Sequence, residues 1–283
     1  MSQSLFRSVL YIPGSRPRAL DKARGLAVDA IIFDLEDAVA PDEKPAARET
    51  LAGELATGGY GHRFCMVRVN GLDTPWGEDD ARAVAAMECD AILVPKVEGA
   101  AHVDAVRTLA PNLPVWCMIE TPRGVLNAQE IADHTAVEGF IMGTNDLAKD
   151  IGCATGGDRS AMMTALQISL MAARAAGIAC VDGVFNAFKD DDGLQVECDQ
   201  GRALGMDGKT LIHPAQIEIA NTVFAPTEDQ IDLSRRQIEA YDDAIAKGEA
   251  VAVVDGKIVE NLHVETARAV LAKAEAIRER ESA

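Results

Sequence analysis

The chain has 283 residues, 45 acidic and 27 basic, for a formal charge of −18 with histidine neutral; 48% are apolar and 25% charged. This is the composition of a globular protein long enough to bury a core without disulfides or a structural metal, and its acidity excludes nucleic acid as a partner, because phosphate neutralisation needs an excess of Lys and Arg. No apolar run approaches the ~20 residues of a membrane span, so no membrane partner is expected. The opening stretch MSQSLFRSVLYIPG holds no signal-peptide core, and Cys65, Cys89, Cys117, Cys153, Cys180 and Cys198 form no CxxC pair, so the expected setting is cytoplasmic with reduced thiols.

The first β-branched run, Ser8–Ile12, leads through Pro13-Gly14-Ser15 into a helix predicted over Arg16–Ala27, with Ser15 as N-cap and Pro17 in the first turn. Similar runs follow at Ala30–Glu36, Cys65–Asn70, Ala91–Lys96, Val115–Glu120, Gly139–Thr144, Ile178–Val184 and Lys209–His213. Their starts are roughly 22–39 residues apart, the length of a strand, a crossover helix and two loops. A helix predicted over Ser160–Ala176 ends at Gly177, a C′ glycine. Eight such units, mostly with consecutive apolar positions, point to an α/β fold, a (β/α)8 TIM barrel; an open doubly wound sheet is the alternative. Neither a GxGxxG nor a GxxxxGK[ST] cradle is present. Beyond Pro226 the pattern changes. Thr227–Lys247 reads as a polar-faced helix capped by Thr227, Gly248–Glu260 as a hairpin turning at Asp255-Gly256, and His263–Glu279 as a final helix. The expected domains are therefore a barrel over 1–225 and a C-terminal arm over 226–283.

The ends of the predicted strands carry charge: Asp34, Glu36 and Asp37; Arg68 and Asn70; Lys96; Glu120 and Arg123; Asp146; Asp182; His213. Charges closing apolar strands are costly unless paired or bound to an ion, and chemistry in such barrels sits at this rim. Glu120 and Asp146 end neighbouring strands. Two carboxylates completed by waters and substrate oxygens suit Mg²⁺, while His and Cys do not cluster as zinc requires. The alternative for Glu120 is an ion pair with Arg123 or Arg68. Arg68 alternates in phase with Asn70 toward a polar interior, where a guanidinium grips a carboxylate at two points; its alternative is pairing with Glu36 or Asp34. Glu36 and Asp37 are expected on opposite faces. His213 is a proton shuttle or a structural histidine. Within the first 24 residues Arg7, Arg16, Arg18, Lys22 and Arg24 stand against Asp21 alone, a basic patch for an anionic ligand, with phosphates at the helix start, or a solvated face. Trp116, Met118 and Phe185 belong to an acyl pocket or to the core. No GxSxG is present, so covalent acyl-enzyme chemistry is not expected.

The stretches Tyr11-Ile12-Pro13-Gly14-Ser15-Arg16, Phe33-Asp34-Leu35-Glu36-Asp37-Ala38-Val39, Val67-Arg68-Val69-Asn70, Val94-Pro95-Lys96-Val97-Glu98, Ile119-Glu120-Thr121-Pro122, Gly143-Thr144-Asn145-Asp146-Leu147 and Ile212-His213-Pro214 resemble, in order and over nearly the whole chain, the HpcH/HpaI aldolase/citrate lyase β-subunit-like family. Within it the chain is most similar to the malyl-CoA lyases and the shorter malyl-CoA thioesterases. The resemblance implies a TIM barrel, Mg²⁺ (with Mn²⁺ as a substitute), an acyl-CoA substrate, and a homotrimer or homohexamer whose C-terminal arm packs on a neighbouring subunit. It implies metal ligation by Glu120 and Asp146, a carboxylate held by Arg68, and CoA held near Arg16 and by the turn Ile212, His213 and Pro214. Lys22, Glu36 and Lys96 complete the expected substrate-binding set.

The lyases of the family carry an Asp in the arm that acts on a neighbouring active site; here Glu260 stands in that place. An added methylene moves the carboxylate by about 1 Å, enough to cost on the order of a hundredfold in proton transfer. The expected reaction is therefore Mg²⁺-dependent hydrolysis of a malyl-CoA-type thioester, with Glu260, Arg68 and Asp37 as catalytic groups. The alternatives are reversible C–C cleavage of malyl-CoA or citramalyl-CoA type, or service as the β-like subunit of a larger citrate lyase assembly.

Overall fold

A computed structural model describes residues 5–154 and 159–282. Eight parallel strands, β1 (Ser8–Pro13), β2 (Ala30–Asp34), β3 (Phe64–Arg68), β4 (Ala91–Val94), β5 (Val115–Ile119), β6 (Val137–Met142), β7 (Ala179–Val181) and β8 (Lys209–Leu211), pair in the order β7-β6-β5-β4-β3-β2-β1-β8. A parallel bridge between Asp182 and Lys209 joins the two ends of that series, so the sheet is a nearly closed (β/α)8 barrel. The eight predicted runs coincide with the eight strands. Six of the strands, β2 to β6 and β8, stop before the polar residue that ends the sequence run, because the backbone there already turns into a loop.

Alternation along the strands builds the interior. Val9, Ile32, Met66, Leu93, Met118 and Ile141 face one another as a buried cluster. Trp116 closes the lower end against Phe6 and Phe64, with ring centroids 4.8 and 5.9 Å away, so it is core. Gly139 lies directly under it; a Cβ there would sit 2.5 Å from the indole. Two residues further along the same inward faces come Tyr11, Asp34, Arg68, Glu120 and Gly143.

Several polar residues that the sequence places near the rim serve the scaffold. Asp182 is fully buried, bonded to Arg159 (2.8 Å) and Lys209 (3.2 Å), while the Lys209 ammonium also reaches Glu197 (2.7 Å) and the Gly183 carbonyl (2.7 Å). This cluster lies at the β7–β8 joint. Asn70 lies beyond the end of β3 and donates to the Leu35 carbonyl and Asp80, so its expected alignment with Arg68 does not hold. Ser15 does not cap the first helix. The helix spans Pro17–Ala23 with Arg16 at its N-cap, because the Arg16 N–H closes a turn onto the Pro13 carbonyl. Four cysteines are buried and Cys89 and Cys153 half-buried; burial pushes the Cys65, Cys89 and Cys198 thiols up to about 12, and raises Cys117 and Cys180 further.

The chain divides into two compact units, Phe6–Thr222 and a second comprising Val223–Ala283. In the second unit the helix Glu228–Ala246 carries a capping box between Thr227 and Gln230. The hairpin of β9 (Ala252–Val254) and β10 (Lys257–Val259) turns at Asp255 and Gly256, both at positive φ, and the helix Asn261–Glu281 follows. Its core is Ala244, Ala252, Val259 and Val264. No helix among the described residues is long and apolar enough to cross a membrane.

Removing one partner of a buried ion cluster leaves a charge without compensation. Lys209→Met is expected to destabilise the protein by about 3–5 kcal/mol in urea unfolding. Arg82→Ala, which breaks an exposed pair with Glu78, is expected to change stability by at most about 0.5 kcal/mol.

Candidate active site

The loops at the C-terminal ends of the strands enclose a cavity of about 290 Å³, lined among others by Tyr11, Asp34, Asp37, Arg68, Met118, Glu120, Thr144, Asn145, Asp146, Asn186 and Ile212. Arg68, Asp37, Glu120, Asp146 and Ile212 thus share one wall, although they come from five different strand ends.

Arg68 is buried and heavily paired. Its Nε and Nη2 each donate to Asp34 at 2.7 Å, and Nη1 lies 2.8 Å from Glu36 and 3.3 Å from Asp37. Glu36 and Asp37 therefore both reach the same nitrogen. The expectation that they point to opposite faces fails because β2 ends at Asp34, and strand alternation does not extend into the loop. That loop is pinned from behind: Asp34 accepts the N–H groups of Glu36 and Ala38, and buried Lys44 donates to the carbonyls of Leu35 and Glu36. Burial raises the Glu36 carboxyl above its usual range, against the pull of Arg68.

Glu120 is 2% exposed. Among the described residues it forms no ion pair with Arg123 or Arg68; its Oε1 accepts the Lys96 N–H at 2.8 Å. Burial, reinforced by Glu36, pushes its carboxyl up to about 7, with the Lys96 N–H and the Arg68 and Lys96 charges acting the other way. Gly143 packs so closely that a Cβ would fall 2.3 Å from Glu120 Oε2. Asp146, in the first turn of the helix Thr144–Ile151, keeps a 31% exposed side chain. Lys96, held at φ 50°, extends its ammonium to Asp146 (3.4 Å) and Glu36 (3.5 Å). Five carboxylates thus gather around two cationic side chains.

No group of three or more His, Cys, Asp or Glu converges as a metal cage among the described residues. Oxygen donors alone, a surplus of negative charge and a buried carboxyl held up near 7 nevertheless fit a hard divalent cation that keeps waters in its shell.

Arg16, Arg18 and Lys22 line a second, more open groove of about 740 Å³, and Ala38 borders both spaces. The expected basic patch is smaller than its sequence count, since Arg7 is buried on Asp29 and Arg24 is tied to Glu54. His213 and Pro214 do not line the cavity. His213 Nδ1 accepts the Ala215 N–H and its ring stacks on Phe188 at 4.7 Å, a structural role for its imidazole. Glu260 lies in the second unit as the exposed N-cap of the helix Asn261–Glu281, where its N–H donates to His263.

Sequence reasoning missed Tyr11, Asn145 and Asn186 as site residues. The two asparagines bond each other through their side-chain amides across the mouth. Tyr11 was detectable from its alternation with Val9 on β1. Burial raises its phenol well above the ordinary range, so it is a neutral donor.

A carboxyl whose pKa is raised on folding contributes stability that is present below about 4.5 and lost as pH climbs through about 7. In metal-free protein, wild type is expected to lose about 2 kcal/mol more stability than Glu120→Gln between roughly pH 5.5 and 8, as read by urea unfolding. Parallel pH profiles would contradict the buried, uncompensated carboxyl.

The chain is 62% identical over 272 residues to a (3S)-malyl-CoA thioesterase of Cereibacter sphaeroides (strain KD131 / KCTC 12085), covering 96% of this chain and 95% of the relative. It is 36% identical to the citrate lyase subunit beta of Leuconostoc mesenteroides subsp. cremoris, covering 97% and 95%. The solved structure of CitE from Mycobacterium tuberculosis in complex with magnesium, acetoacetate and coenzyme A superposes with a TM-score of 0.84 at 28% identity, covering 97% of this chain and all of that one. The sequence profile of one family matches residues 7–214, nearly the whole barrel, and the chain belongs to that family, HpcH/HpaI aldolase/citrate lyase.

Proposed function

We propose that the protein hydrolyses a malyl-CoA-type thioester to malate and CoA in a Mg²⁺-dependent reaction, with Glu120 and Asp146 as the metal ligands. The observation that carries this reading is 62% identity to a (3S)-malyl-CoA thioesterase across 96% of the chain. The acidic, oxygen-lined cavity supports the metal, and Mn²⁺ has the same ligand preference. When bound, the cation polarises substrate oxygens as a Lewis acid and fixes the 2-hydroxycarboxylate end.

The chain's own groups supply the rest. Arg68 meets the substrate carboxylate through Nη1 in place of Asp37, the looser of its two partners there at 3.3 Å against 2.8 Å for Glu36. Asp37, with a 68% exposed side chain, is free to orient the attacking water and take its proton. Glu260, brought from a neighbouring subunit by the C-terminal arm of a trimer or hexamer, is the second candidate for that task. Water adds to the thioester carbonyl carbon, the C–S bond breaks, and the sulfur leaves as a thiolate that takes up a proton. The cavity adjoins the groove of Arg16, Arg18 and Lys22, which suits a ligand with a reactive head and a polyanionic tail. The family resemblance assigns the Ile212, His213 and Pro214 turn to the same tail, and Lys96, paired with Glu36 and Asp146, flanks the head. A cytoplasmic setting fits unpaired thiols.

The 36% identity to a citrate lyase subunit favours a second reading, reversible C–C cleavage on the same metal site. Products separate the two. Purified protein with Mg²⁺ and malyl-CoA is expected to release malate and free thiol, and EDTA to abolish release; glyoxylate with acetyl-CoA would overturn hydrolysis. Asp146→Asn is expected to lower kcat/KM on the order of a hundredfold. Glu260→Asp is expected to gain cleavage products in the same assay, and unchanged products would remove Glu260 from the chemistry.

A further inference from the structure

Four carboxylates, Asp34, Asp37, Glu120 and Asp146, line the cavity. Arg68, the one guanidinium among the described lining residues, already gives Nε and Nη2 to Asp34 and turns Nη1 toward Glu36 and Asp37. The Asn145 and Asn186 amides bond each other. Tyr11 is different. Its ring covers the guanidinium, with Arg68 Cζ 5.0 Å from the ring centroid, and both residues line the same cavity. Among the described residues its hydroxyl meets one acceptor, the Met118 thioether at 3.9 Å. A thioether is a weak acceptor, easily exchanged for a charged oxygen.

We propose that the Tyr11 hydroxyl is a substrate-binding donor that, together with Arg68, holds the carboxylate of the dicarboxylic acyl group. The inference rests on the thioesterase reading and adds to it the group that distinguishes a carboxylate-bearing acyl chain from one lacking it. A Tyr that merely packs over Arg68 would be replaceable by Phe without consequence. A donor cannot be, because hydrogen bonds to charged groups carry about ten- to a hundredfold in affinity.

The test compares wild type and Tyr11→Phe, which keeps the ring over Arg68. Both proteins are expected to unfold at the same temperature. With Mg²⁺ present, malate is expected to inhibit the variant at least about tenfold more weakly, and KM for malyl-CoA to rise in parallel with kcat within about threefold. Inhibition by 3-hydroxypropionyl-CoA, which lacks the carboxylate, is expected to be equal in the two proteins. Equal inhibition of both by malate overturns the inference alone, as does equal weakening toward both inhibitors. Wild type that neither binds malate nor hydrolyses malyl-CoA overturns the functional reading, and the inference with it.

Discussion

The barrel mouth is organised around an imbalance of charge. Asp34, Glu36, Asp37, Glu120 and Asp146 converge on Arg68 and Lys96, in a space where most of them are shielded from water. Carboxylates in that density are tolerable only beside a cation. Asp34 is satisfied by Arg68 and by the loop that follows it. Among the described residues Glu120 has only the Lys96 N–H on one oxygen, and burial pushes its carboxyl up to about 7. The rest of the mouth is arranged to keep Glu120 in place: a glycine at 143 because no side chain fits, the Lys96 N–H on its other oxygen, and Lys44 bracing the loop that carries Glu36.

The interior and the site are one pattern. On β1, β2, β3 and β5 the inward face is apolar first and polar at its end, so Val9 leads to Tyr11, Ile32 to Asp34, Met66 to Arg68 and Met118 to Glu120. A packed floor and a reactive rim therefore arise from the same period-two alternation, and the strands that fix one fix the other.

This is also why so much of the fold is legible in the sequence. Recurring β-branched runs locate all eight strands, and the carboxylates that follow two of them locate the two metal-ligand candidates. What escaped was pairing at a distance. Arg7 could be counted as part of a basic patch because its partner, Asp29, belongs to the next strand's approach. Asp182 could be taken for rim chemistry because the buried Lys209 that neutralises it comes from the strand that closes the barrel. Asn70 was aligned with Arg68 by a rule that lapses where the strand stops. Tyr11 was overlooked because an aromatic in an apolar run reads as core.

The cysteines bear on the reaction proposed for the site. Each turnover would set free a thiol, and the disulfide form of such a product exchanges only with a protein thiolate that can attack it. Cys65, Cys89, Cys117, Cys180 and Cys198 all keep their protons far above neutral pH, because burial disfavours the sulfur anion. Five of the six sulfurs are in this way withheld as nucleophiles from disulfide exchange.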